Sequence, residues 1–244
     1  MSARERQQIH ALLGPIDDPV LVRAVRDGRG RDFQRLEFLG DSVLDVVLAV
    51  HRWVEPACDA CAVDGRHAEA SDRYLAEAAR RAGVGAWLEW RASNERIADV
   101  VETCVAACWL SGRWRPTVSF VTTVVHPMGE RTTDALERGL PGEPGRAARR
   151  VGSAVLELAS AHGVFAALPD ADEGALSTAR AAVHQAQAVA RRAHAIGEFD
   201  GVRFQPGDDD VMLSQVEDLL AERLGTSGAD AALAAAETFV SAPH

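Results

Sequence analysis

The chain resembles itself, and this limits the folds open to it more than any other feature of its sequence. Gly40-Asp41-Ser42-Val43-Leu44-Asp45 faces Gly152-Ser153-Ala154-Val155-Leu156-Glu157 at an offset of 112. LAEAARRAG, ending at Gly83, faces VARRAHAIG, ending at Gly197, at an offset of 114. ADVVETCVAACWL faces LSQVEDLLAERL, pairing Glu102 with Glu217 at an offset of 115. Three blocks in one order, with a drift small enough for loops to absorb, predict a fold built twice from 244 residues. About half that length is an ordinary domain size. Between the copies, GLPGEPG at 139 to 145 is the strongest turn and loop signal in the chain. The predicted organisation is a first domain over 1–138, a Gly/Pro linker over 139–147 and a second domain over 148–244.

Apolar residues return every three or four positions in EFLGDSVLDVVLAVHRWV, SDRYLAEAARRAGV and IADVVETCVAACWL, the period of a helix with one buried face. The expected fold class is therefore all-α. VSFVTTVV at 118 to 125 is rich in β-branched residues and by propensity favours a strand. A lone strand has no partner in a helical chain, and the repeat sets this segment opposite DAALAAAETFV, a strong helix former, so it too is expected to be helical. No apolar run approaches the ~20 residues of a membrane span, and MSARERQQIH lacks an apolar signal core, so a cytoplasmic protein is expected.

Charge narrows the partners. All 26 basic residues are arginine, against 36 acids, for a net charge of -10. Residues 1 to 138 carry 18 Arg and 21 acids, and the remainder 8 and 15, so the deficit lies mainly in the second half. This excludes a uniformly basic wrapper of nucleic acid. Four cysteines, Cys58, Cys61, Cys104 and Cys108, allow two disulfides or one four-thiolate zinc site. The i, i+4 spacing of Cys104 and Cys108 within an apolar helical run also suits plain buried thiols.

The acids of the first half carry more information. Glu37 and Asp41 are i, i+4, and Asp99 and Glu102 are i, i+3, so each pair projects from one face of its helix. Both pairs lie in apolar runs, where a bare carboxylate is costly unless it is paired, hydrogen-bonded or bound to a cation. Four carboxylates from two packed helices make a hard oxygen ligand set suited to Mg²⁺ or Mn²⁺ and to metal-assisted phosphodiester hydrolysis. By spacing alone they also fit ordinary solvated helix acids. Of the histidines, none lies in either acidic pair, and His126, before Pro127, is expected in a surface loop.

The letters add to the spacing. Arg35-Leu36-Glu37-Phe38-Leu39-Gly40-Asp41-Ser42-Val43-Leu44 closely resembles the signature of the ribonuclease III family, which cuts double-stranded RNA, and Ala98-Asp99-Val100-Val101-Glu102 resembles that family's second acidic motif. The resemblance implies an all-helical endonuclease domain in which Glu37, Asp41, Asp99 and Glu102 hold divalent metal, usually Mg²⁺. It also implies hydrolysis leaving a 5′-phosphate and a 3′-hydroxyl. By the same resemblance Phe38 is an interface residue filling a pocket in a partner domain; a plain core aromatic is the other reading.

The chain departs from the family pattern in three places. Phe33-Gln34 stands where the family has Asn-Glu, so an outer carboxylate is an amide. VEPACDACAVDGRHAEA replaces the family's Glu-Gly-x-Leu-Ser stretch, which recurs instead as Asp172-Glu173-Gly174-Ala175-Leu176-Ser177. In the second half Glu37 corresponds to Arg149, Asp41 to Ser153, Asp99 to Ser214 and Glu102 to Glu217, so one acid of four survives. The second half is expected to be a degenerate partner domain in which Arg149 and Glu217 pair where metal would sit.

Because ribonuclease III domains work as dimers, a tandem pair is expected to fold back as a monomeric, intramolecular pseudo-dimer with a single cutting centre. Association of two chains through their intact halves is the other arrangement. No separate double-stranded RNA-binding domain is expected after the second domain. Arg23, Arg26, Arg29 and Arg31 are candidates to line an RNA-facing surface, and a protein partner or an RNA of defined shape is expected to supply further affinity. The expected function is a metal-dependent endoribonuclease acting on double-stranded or structured RNA, and a maturase dedicated to one precursor is a narrower form of that reading. The alternative is a non-catalytic RNA-binding or assembly subunit of a ribonucleoprotein.

Overall fold

The fold was analysed in a computed structural model, which describes residue 13 and residues 18–55, 71–84, 92–139, 146–195 and 209–240. The described residues are helical throughout their regular structure and include no strand. The helices are α1 (Pro19–Asp27), α2 (Arg31–Val54), α3 (Asp72–Ala82), α4 (Asn94–Gly112), α5 (Trp114–Val124), α6 (Glu130–Arg138), α7 (Arg146–Ala167), α8 (Glu173–His184), α9 (Ala186–Ala195), α10 (Asp209–Ser227) and α11 (Ala229–Val240). None of them is long and apolar enough to cross a membrane. The β-branched run at 118 to 125 lies almost wholly in α5, because Val118, Phe120, Val121 and Val124 form a buried stripe that outweighs strand propensity.

The chain divides into two compact units, Met1–Thr133 and Asp134–His244. The division falls inside α6, a few residues before the boundary predicted at 138, and most of the Gly/Pro linker lies outside the described residues.

In the first unit α2 packs chiefly on α4, which also receives α1, α3 and α5. Phe33, Leu36, Leu39, Val43, Val47 and Val50 of α2 are buried, as are Val100, Val101, Cys104, Val105 and Cys108 of α4. Ser71 and Ser93 cap α3 and α4 by accepting from the amides of Tyr74 and Arg96. Tyr74 Oη donates to the Val125 carbonyl, fixing α3 against the end of α5. His51, buried on α2, hydrogen-bonds Thr132 at 3.1 Å and stacks at a tilt on His126, 5.1 Å between ring centroids. His126 is therefore half-buried against a second imidazole and is not a plain surface loop residue, because α2 brings His51 beneath it.

In the second unit α7 packs on α10, α11 and α8. The crossing geometry of the two units is alike. A Cβ added to Gly40 on α2 would lie 3.1 Å from Glu102 Cα and closer still to its carbonyl. A Cβ added to Gly152 on α7 would lie 3.0 Å from Glu217 Cα and, again, closer to the carbonyl. Both contacts join the residues that the sequence repeat pairs. The turns after the crossing helices correspond too: Arg113, between α4 and α5, has φ 59°, and Gly228, between α10 and α11, has φ 83°. A side chain at positive φ is strained where glycine is not, and Arg113 partly offsets this by laying its guanidinium 4.4 Å from the Trp109 ring centroid. Arg113→Gly should stabilise the first unit by up to ~1 kcal/mol, read as a higher midpoint in urea; a lower midpoint would mean the stacked guanidinium contributes more than the strain costs.

Candidate metal centre

The α2–α4 crossing places the acidic pairs face to face. Gly40 lets the two backbones meet at Glu102, one helical turn from Glu37 along α2. Carboxylate oxygens of Glu37, Asp99 and Glu102 then lie within 4.8 Å of one another, and all three side chains are half-buried. Asp41 is exposed and outside that triad, yet its charge acts strongly on Glu102. The structure thus brings three of the four candidate acids together and leaves the fourth at the solvent edge.

Electrostatics give this crowding a chemical consequence. Glu102 is pushed up to about 9 by burial first, then by the charges of Asp41, Glu37, Asp99 and Asp72. Asp99 is pushed up to about 6 by burial and by Glu95, with Arg96 pulling the other way and Asp72 adding to the rise. Asp72 and Arg96 were not among the sequence candidates. Arg96 stands at i−3 from Asp99 on the same helix face, a spacing that could have revealed it. Asp72 lies in the first turn of α3, with no spacing relation to either acidic pair.

A group whose folded pKa is raised stabilises the fold fully below its unfolded value and loses that contribution as pH climbs through the folded value. For Glu102 this window runs from 4.5 to about 9. Without metal, the first unit should therefore become less stable from pH 5 towards pH 9, and Glu102→Gln should flatten the decline. Thermal melts in chelator test this; a natural chain whose midpoint rises across the window would contradict the assignment.

The equivalent place in the second unit has different chemistry. Ser153 hydrogen-bonds Glu217, whose carboxyl is raised by burial and lowered by that bond and by the Arg149 charge. The expected Arg149–Glu217 pair is corrected: Arg149 makes a two-pronged bond to Asp218, Nε to Oδ1 at 2.9 Å and Nη2 to Oδ2 at 2.8 Å. Glu217 is held at the crossing by Gly152 and turned to Ser153, while the next residue, further round α10, meets the exposed guanidinium. Ser214 donates to the Asp210 carbonyl within its own helix.

The other candidates are placed as follows. Phe38 is 5% exposed within the chain. Arg23, Arg29 and Arg31 line a shallow hollow with Asp27 and Asp32, and Arg26 pairs with Asp27. Cys104 and Cys108 are buried free thiols, both held protonated by burial, with Cys108 at about 12 and donating to the Leu13 carbonyl. That environment is one of core packing. Cys58 and Cys61 lie outside the described residues.

No protein-family model matches the chain. Among curated proteins it is similar to a Ribonuclease 3 of Pseudothermotoga lettingae, 34% identical over 90 residues. The match covers 32% of this chain and 38% of that protein, so the chain spans well under half the length of this relative.

Proposed function

We propose that the chain is a metal-dependent endoribonuclease that cuts double-stranded or structured RNA by phosphodiester hydrolysis, through one acidic centre in the first unit. The observation that carries this reading is the Glu37, Asp99 and Glu102 triad, with its oxygens within 4.8 Å and Glu102 pushed up to about 9. Three half-buried carboxylates repel one another and have oxygen donors only, which fits a hard divalent cation such as Mg²⁺ or Mn²⁺. Similarity to a Ribonuclease 3 supports RNA as the substrate.

In this reading Glu37, Asp99 and Glu102 hold the cation, with Asp41 beside them at the solvent edge. Bound there, it supplies Lewis acidity that eases deprotonation of water and offsets charge gathering on the phosphate. Without a cation, burial and the neighbouring acids favour the protonated form of Glu102, whereas a bound cation would favour its carboxylate. Glu95 and Asp72 add negative potential at the rim of the triad.

The second unit is, in the same proposal, a duplicated and non-catalytic partner of the first. Support comes from the matching Gly40–Glu102 and Gly152–Glu217 approaches, the matching positive φ of Arg113 and Gly228, and the replacement of a second acid triad by the Arg149–Asp218 and Ser153–Glu217 pairs.

The chemistry of the cut ends tests the reading. Incubated with structured RNA in Mg²⁺, the chain should release fragments with 5′-phosphate and 3′-hydroxyl ends and none in EDTA. Fragments ending in 2′,3′-cyclic phosphate, or cutting that survives EDTA, would overturn it.

A further inference from the structure

An arginine lies beside the triad in a setting its neighbours do not explain. Arg96 is in the first turn of α4, three residues before Asp99, and its charge lowers the Asp99 carboxyl. Its guanidinium carbon stands 5.3 Å from the centroid of the Phe33 ring, itself 1% exposed in the first turn of α2. The Arg96 side chain is half-buried, and among the described residues no carboxylate forms an ion pair with it. Its charge acts on Asp99, yet no ion pair joins the two.

Phe33 and Arg96 stand on the two helices that carry the acids, one turn ahead of Glu37 on α2 and of Asp99 on α4. A guanidinium lying over an aromatic face keeps its N–H groups in its own plane, free to point outward past the edge of the ring. Held in this way it has already lost much of its side-chain freedom, so a bidentate bond to an anion costs less ordering. A planar fork matches two oxygens of a phosphodiester. The acids next to it repel a polyanion, and a fixed cation at their border offsets that repulsion where the backbone must approach.

We infer that Arg96, held on Phe33, binds a phosphodiester oxygen of the RNA strand next to the acidic triad. This rests on the function proposed above. Arg96 is then a substrate-binding residue, and Phe33 its positioning residue.

The test is binding without turnover: anisotropy titration of a labelled RNA duplex in saturating Ca²⁺, with the duplex checked intact afterwards, across a salt series. Arg96→Met keeps a side chain long enough to cover Phe33, so the fold should be unchanged in thermal melts. Binding should weaken about tenfold, and the slope of log affinity against log salt should fall by about one, the signature of a lost phosphate contact. Phe33→Leu, which keeps the charge and removes the ring, should weaken binding less than Arg96→Met does. In the absence of RNA, Arg96→Met should bind Mn²⁺ more tightly, so that metal and RNA affinities move in opposite directions. A natural chain that binds duplex while Arg96→Met matches its affinity and slope would overturn the role of Arg96 and leave the proposed function standing. A natural chain that binds no duplex at any salt would overturn both.

Discussion

Gly40→Ala should unfold the first unit at much milder conditions than the natural chain, by about 3 kcal/mol or more, and should remove cleavage along with stability. An added methyl meets the Glu102 carbonyl, and neither helix can give way without moving its backbone. Overpacking of a close-packed core ordinarily costs ~1–3 kcal/mol, and a clash against backbone belongs at the upper end or beyond. Any separation of α2 from α4 also spreads Glu37 from Asp99 and Glu102, so activity should fall even where folding survives. Gly152→Ala meets the Glu217 carbonyl in the same way and should destabilise the second unit to a similar extent. Gly163→Ala is the control: nothing lies within 4 Å of its added Cβ towards the C-terminal end of α7. It should stabilise by up to ~1 kcal/mol through helix propensity. Urea melts of the three variants give opposite signs if the crossings are as close as described; a harmless Gly40→Ala would show that they are not.

Glu102→Gln should lower RNA cleavage at saturating Mg²⁺ by at least ~10²–10³-fold, as loss of a direct electrostatic contributor to a transition state commonly does. The amide nearly preserves volume and resembles the protonated carboxyl that the metal-free site favours, so the metal-free fold should be about as stable as that of the natural chain. Duplex binding should persist, since the substitution subtracts no cation from the RNA-facing surface. Loss of cutting with retained fold and binding separates a catalytic role for Glu102 from a structural one. Comparable cutting by natural chain and variant would remove it from the chemistry.

The helical class was legible because both halves carry the 3.6-residue apolar period through most of their length, and even the β-branched stretch at 118 to 125 follows it. The meeting of Glu37 with Asp99 and Glu102 was legible for a different reason: two carboxylate pairs in apolar runs have few affordable environments. Asp41 was harder to place, because spacing fixes a helix face and does not fix depth along it; the residue lies on the solvent side. The Arg149–Asp218 pair was missed because the repeat aligns residue with residue, whereas an exposed guanidinium reaches whichever carboxylate its length allows. His51 and His126, far apart in sequence, gave no local signal for their stacking. Asp72 and Arg96 entered through the packing of α3 on α4 and through the Phe33 ring.

A single acidic centre per chain is tested most directly by cleavage of an RNA duplex end-labelled on one strand at a time, in Mg²⁺ and in EDTA. The natural chain should be compared with Glu102→Ala at concentrations where it is monomeric. The expected result is Mg²⁺-dependent cutting of one strand per binding event, absent in EDTA and absent in the variant. Concerted cutting of both strands by the monomer, cutting that persists in Glu102→Ala, or no cutting of any duplex by the natural chain would contradict it.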